Sequence, residues 1–174
     1  DCSVFVDMIA RGELPIRVTH NDTKLNNVMF DKNTDDCVCV IDLDTVMPGL
    51  ALYDFGDSIR FGANTAVEDE TDLSKVSISL DYFRAYTEGF LSACGASLTD
   101  AEIENLAFSA KLMTLECGMR FLTDYLDGDT YFGTAYPEHN LVRARDQFKL
   151  VEDMEKHMPE MQQIVREVSA AYKK

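Results

Sequence analysis

Basic residues are scarce in this chain: 16 Lys and Arg stand against 31 Asp and Glu in 174 residues, a formal net charge of −15. A nucleic-acid surface works by displacing counterions with clustered Lys and Arg, so the balance argues against a nucleic-acid partner. It offers no polybasic membrane patch either. No apolar run approaches the length of a membrane span, and the opening DCSVFVDMIARGE lacks the basic start of a signal peptide. Cysteine is sparse and odd in number: Cys2, Cys37, Cys39, Cys94 and Cys117 make neither a disulfide framework nor a CxxC zinc pair. The reading is a soluble, cytoplasmic chain with reduced thiols, Cys37 and Cys39 being small apolar fillers on one strand face. There are no internal repeats, no G-x-S-x-G elbow and no C/S-x-P-x-R stretch, which sets aside serine hydrolases and sulfatases. His139 and His157 lack metal-ligand spacing and read as surface residues.

What is present is a small β element followed by a mostly helical body, long enough to bury one core. CSVFVDMIARG reads as the end of a helix stopping at Gly12, and IRVTH as a short strand. Residues 28–42 read as a β-hairpin turning through DKNTDD, whose side chains bond their own backbone. That turn imitates an EF-hand loop but has Asp36 where Gly is needed and Asp42 where a bidentate Glu is needed. Helices are expected over 53–61, over 71–95 and over 99–127, the last opening on a capping box of Thr99 and Glu102. Ile103, Leu106, Leu112, Leu115 and Leu122 would form its buried stripe. The tail from Glu138 is helical with a break before Pro159. The methionines fall on helices as core or interface, and EDETD reads as a solvated loop face.

The chemistry concentrates in THNDTKLNNVMFD and the IDLD at Ile41–Asp44. Phosphoryl transfer needs a carboxylate near the attacking hydroxyl and hard oxygen ligands for a divalent ion. Asp22, Asn27 and Asp42 supply these if the hairpin brings the third to the first two. His20, Asp22, Lys24 and Asn27 fit H-x-D-x-K-x-x-N, the kinase catalytic-loop pattern. With CVIDLDTVMPGLALYDFGDSIRFGAN and MRFLTDYLDGDTYF, the chain resembles the aminoglycoside and choline kinase superfamily, and within it the N-acetylhexosamine 1-kinases and related sugar kinases.

That resemblance implies an α+β, mostly helical fold: a protein-kinase-like C-terminal lobe whose small hairpin carries the catalytic and metal-binding loops. It implies an ATP- and Mg²⁺-dependent kinase acting on the anomeric hydroxyl of an N-acetylhexosamine. Asp22 would be the catalytic base, with Lys24 touching the transferring phosphate. Asn27 and Asp42 would hold Mg²⁺, with Asp44 a further ligand or water-holder. His20 and Asp54 would brace the loop, and Arg120 and Tyr131 would hold the sugar. The bland alternatives are a solvated Lys24, a surface ion pair for Arg120, packing for Tyr131, and helix-end or Arg60-pairing roles for Asp54 and Asp57.

Two departures qualify the likeness. Asp42-Leu43-Asp44 stands where protein kinases have D-F-G. Ahead of His20 lie nineteen residues with no Gly-rich loop and no strand carrying an ATP-clamping Lys, so the N-terminal nucleotide lobe is expected to be missing from this chain. Other readings stay open: a choline or aminoglycoside-type kinase acting on an amino alcohol, or a non-catalytic kinase-like binding module.

Overall fold

The computed structural model describes residues 2–172. Helix α1 (Val4–Ala10) ends where Gly12 turns the chain with φ +74°. Strand β1 (Arg17–Thr19) pairs antiparallel with β4 (Met47–Gly49), Arg17 opposite Gly49. Between them lies the expected hairpin: β2 (Val28–Phe30) against β3 (Cys37–Val40), Val28 opposite Val40, with a register shift at Met29/Phe30. Its turn is held as expected by Asp31, whose Oδ1 accepts the N–H groups of Asn33 (2.8 Å) and Thr34 (3.2 Å). Strand β4 was not anticipated, because Met-Pro-Gly has poor strand propensity; Pro48 is tolerated in a two-stranded ribbon, where both strands are edges.

The hairpin is not packed into a core. Every residue of β3 is exposed, so Cys37 and Cys39 are not the fillers their alternation suggested. Val18 (82% exposed), Val38 (64%) and Leu43 (59%) extend the bare apolar surface.

The body is built around α5 (Leu106–Leu126), flanked by α2 (Ala51–Gly62) and α6 (His139–Lys156), with α3 (Leu80–Cys94) against α7 (Met158–Tyr172). Two glycines let the three central helices approach. A Cβ on Gly56 of α2 would lie 2.5 Å from the Ser109 carbonyl of α5, and one on Gly118 of α5 would lie 2.9 Å from the Phe148 ring of α6. Close crossing of α2 and α5 sets Gly56 against Ser109 and Met113 in the first half of α5, with Arg60 further along beside Cys117. Of the expected stripe, Ile103, Leu106 and Leu112 are buried, whereas Leu115 and Leu122 are only half-buried.

Two helix boundaries differ from expectation. Residues 71–79 are not helix: a 3-10 turn at Leu73–Lys75 leads to an extended stretch whose Ile78 bridges Asn64, and α3 starts only after Ser79, whose hydroxyl accepts the Tyr82 N–H. Val76 and Ile78 enter the core at alternate positions, a strand-like period inside a sequence read as helical. The 99–127 helix has both capping-box bonds but breaks at Asn105 into α4 (Asp100–Glu104) and α5. The tail breaks before Pro159 as expected, at His157, leaving the proline in the first turn of α7, where its missing N–H costs nothing.

Asp146 on α6 is fully buried; its Oδ2 accepts Gln147 Nε2 (2.9 Å) and Asn64 Nδ2 (3.3 Å) while Oδ1 has no protein partner. Burial pushes this carboxyl up to about 7, against those hydrogen bonds and with help from the charges of Glu68 and Asp69. A raised acid binds its proton more tightly when folded, so the cost grows from the ordinary aspartate range and is complete above pH 7. Asp146→Asn keeps an acceptor and removes that cost. Thermal melts should place the variant above wild type at pH 8 by roughly 4–8 °C, if about 2 kcal/mol is relieved, and level with it at pH 4. Equal melting at pH 8 contradicts the account.

Candidate active site

Residues 20–27 form a loop gripped from below by α2. The Asp54 carboxylate accepts the N–H groups of His20 and Asn21, both at 2.8 Å. One turn on, Asp57 accepts the Thr23 N–H (2.8 Å), and the Thr23 hydroxyl donates to the Asp54 carbonyl (2.6 Å). Acidic side chains in the first turns of a helix suit its positive end, and here they also satisfy loop donors that would otherwise be unpaired. Asn21 takes φ +64°, a left-handed bend that Asn tolerates.

The same loop is tied to the turn after β3. His20 Nδ1 accepts the Asp22 N–H (3.3 Å), which leaves Nε2 as the protonated nitrogen donating to the Ile41 carbonyl (3.1 Å). The Thr45 hydroxyl donates to the His20 carbonyl (2.7 Å), and Asn21 Nδ2 donates to the Thr45 carbonyl (3.0 Å). Across the hairpin, the Ile41 N–H donates to the Asn27 carbonyl (2.9 Å), so Asp42 follows directly on a residue bonded to Asn27.

These bonds gather the polar side chains. Asn27 Nδ2 donates to both the Asp22 carbonyl (2.9 Å) and its Oδ2 (3.0 Å), which turns the amide oxygen away from Asp22. Lys24 Nζ lies 3.4 Å from Asp22 Oδ1. Asp42 sits in the left-handed region (φ 61°, ψ 58°) with its carboxyl against that of Asp44. The Asp44 bond and charge, then partial desolvation and the charge of Asp22, raise Asp42 above the ordinary carboxylate range, while the same bond lowers Asp44. Three acids thus crowd one rim. Two carboxylates and an amide oxygen are hard donors of the kind Mg²⁺ takes, with phosphate and water oxygens completing its shell. Among the described residues, no cluster of three or more His, Cys, Asp or Glu could hold a metal by itself.

Asp22 also opens onto a cleft of about 750 Å³ between the loop, α2, α5 and the segment before α6. Lys24, Arg60, Arg120 and Arg143 line it, balanced by Asp22, Asp57, Glu68 and Glu116. Arg120 and Tyr131 reach this cleft. The Arg120 guanidinium lies 5.7 Å from the Tyr131 ring and 5.3 Å from that of Phe132, and 3.7 Å from Glu116. Tyr131 is 74% exposed, so it is not a packing residue.

Several contributors were not visible in the sequence. The Asp57–Arg60 pairing was expected and is present at 2.9 Å, but Arg60 also reaches Glu68 (2.7 Å) and is buried. Burial opposes its charge, yet the neighbouring acids hold it firmly protonated. Glu68 and Asp69, read as solvated, instead stitch their loop down, Glu68 to Arg60 and Asp69 to His139 Nε2 (3.2 Å). His139 is buried, not on the surface, and its Nδ1 accepts the Ala135 N–H (3.1 Å). Only their partners distant in sequence, invisible without the fold, mark these residues out. Cys117 lines the cleft as an inert thiol pushed up to about 11 by burial.

Residues 5–90 match the model of the phosphotransferase enzyme family, APH. The match supports the aminoglycoside and choline kinase-like superfamily and a phosphotransferase, and the mostly helical body with small antiparallel ribbons is compatible with a kinase-like lobe. It spans the 20–27 loop, the hairpin and α2 but ends before Arg120 and Tyr131. Among the described residues, no helix is long and apolar enough to cross a membrane.

Proposed function

We propose that this chain is the catalytic lobe of an ATP- and Mg²⁺-dependent sugar kinase that phosphorylates the anomeric hydroxyl of an N-acetylhexosamine. The observation that carries the reading is the position of Asp22, which touches Asn27 beside the Asp42–Asp44 turn and also lines the cleft. A base for phosphoryl transfer must stand between the metal–phosphate side and the acceptor side. Asp22 accepts the proton of the acceptor hydroxyl as that oxygen attacks the γ-phosphorus, and the bond to the bridging β–γ oxygen breaks to release ADP. Lys24 faces the charge of the transferring group. Asn27, Asp42 and Asp44 would hold Mg²⁺, which would offset the negative charge of the phosphates when bound.

The balanced cleft favours a neutral acceptor. A polycationic aminoglycoside or choline calls for an excess of acids, whereas four guanidinium or ammonium groups here match four carboxylates despite the chain's net charge of −15. Arg120 and Tyr131 offer donors for a sugar's hydroxyl and acetamide oxygens. The bare apolar surface of the hairpin fits a preceding nucleotide-binding lobe that would close over the adenine, and the five free thiols fit a reducing, cytoplasmic setting.

The test is an acceptor panel with ATP and Mg²⁺ on the chain extended N-terminally by that lobe, product phosphate being located by ³¹P NMR. Phosphate at C1 of N-acetylglucosamine or N-acetylgalactosamine is the expected result. Transfer to choline or kanamycin with none to any hexosamine would replace this reading with the amino-alcohol kinase.

A further inference from the structure

The segment between α5 and α6 carries no regular structure, yet it is pinned with unusual density. At the end of α5, the buried Asp124 accepts three successive backbone N–H groups: Thr130 (2.9 Å) and Tyr131 (2.8 Å) on Oδ1, and Phe132 (2.9 Å) on Oδ2. Its Oδ2 takes a fourth bond from Asn140 Nδ2 (2.8 Å), and that same amide nitrogen reaches Asp129 (2.9 Å). Arg143 then links the Asn140 amide oxygen to the Gly133 carbonyl, both at 3.1 Å. The Asp124 carboxyl is held below its ordinary value: burial opposes this, but the backbone donors outweigh it.

One buried carboxylate therefore fixes the backbone of Tyr131 and Phe132, which form the cleft's outer wall with Gly133, itself tied by Arg143. A merely solvated connection could turn with far fewer ties. We propose that Asp124 is the positioning residue of the acceptor site, holding residues 130–132 at the height where the Tyr131 edge and Arg120 meet the acceptor; this rests on the sugar-kinase reading above. Asp124 does not reach the acceptor itself. It acts through the loop, so its loss weakens acceptor binding and leaves the Asp22–Asn27–Asp42 side in place.

The experiment is a titration of the 174-residue chain with N-acetylglucosamine, followed by ¹⁵N–¹H NMR, with amide exchange read at Thr130, Tyr131 and Phe132. In Asp124→Asn, those amides should exchange faster and acceptor affinity should fall about tenfold or more, while signals from residues 20–45 stay where they are. Asn140→Ser leaves the three backbone bonds intact and should lose about threefold; it carries the test if Asp124→Asn does not give a folded spectrum. Wild-type affinity in a folded Asp124→Asn variant, or in Asn140→Ser when that is the only folded one, overturns the role of Asp124 alone. No binding of N-acetylglucosamine by the wild-type chain overturns the acceptor assignment, and with it the positioning role.

Discussion

Replacing Asp22, the proposed base, with Asn should lower phosphoryl transfer about 10³-fold in the chain joined to a nucleotide-binding lobe, with melting temperature unchanged. Asn is nearly isosteric and can still meet Asn27 Nδ2 through its oxygen, so the loop keeps its bonds to Asp54, Asp57 and Thr45. What disappears is the capacity to take the acceptor's proton and the attraction to Lys24. The loss should fall on kcat, because the other proposed acceptor contacts, Arg120 and Tyr131, line the cleft apart from Asp22. Turnover within a fewfold of wild type would remove Asp22 from the proton-transfer role, even with the rest of the site in place.

The second large effect concerns folding. Arg17 on β1 grips the fully buried Glu102 through Nε (2.6 Å) and Nη2 (2.7 Å), and also reaches the Ser97 carbonyl (2.6 Å). Glu102 closes the capping box by accepting the Thr99 N–H (2.7 Å), so one carboxylate joins β1 to the start of α4. Arg17→Met keeps most of the volume but strands a buried charge, which costs about 3–5 kcal/mol. Denaturant melts at pH 7 should show that loss. Burial alone would raise Glu102, but the Arg17 fork and the Thr99 N–H hold it below its usual value in the wild-type protein. Its stabilising contribution is therefore complete above the ordinary glutamate range and fades as pH falls through the lowered value. In Arg17→Met the carboxyl has only burial and Thr99, so it protonates earlier on the way down. The gap between the two proteins should then narrow toward pH 4. A gap that is small at neutral pH, or that widens in acid, would show that the pair contributes little.

How much of this was legible beforehand depended on whether the partners were near in sequence. The capping box at Thr99 and Glu102 is a three-residue pattern, and it formed as read. The hairpin announced itself through two β-branched runs and a turn of self-bonding residues. The convergence of Asp22, Asn27 and the Asp42 turn followed from the hairpin's register, which places Asn27 next to Ile41. Long-range polar ties gave no such signal. Glu68 and Asp69 looked like a solvated acidic run because Arg60 and His139, their partners, are identifiable only once α2 and α6 are packed around α5. Residues 71–79 were misread for a different reason: Val76 and Ile78 are compatible with either period, and the Asn64–Ile78 bridge decided for the extended form.

Asp42 has a consequence of its own. Its left-handed backbone excludes branched side chains, while the proposed ion demands a carboxylate, and few residue types meet both conditions. Glycine would keep the bend and lose the ligand; glutamate would keep a carboxylate and strain the bend. A short allelic series at this one codon therefore separates conformational tolerance from chemical competence, which few positions in any lobe permit.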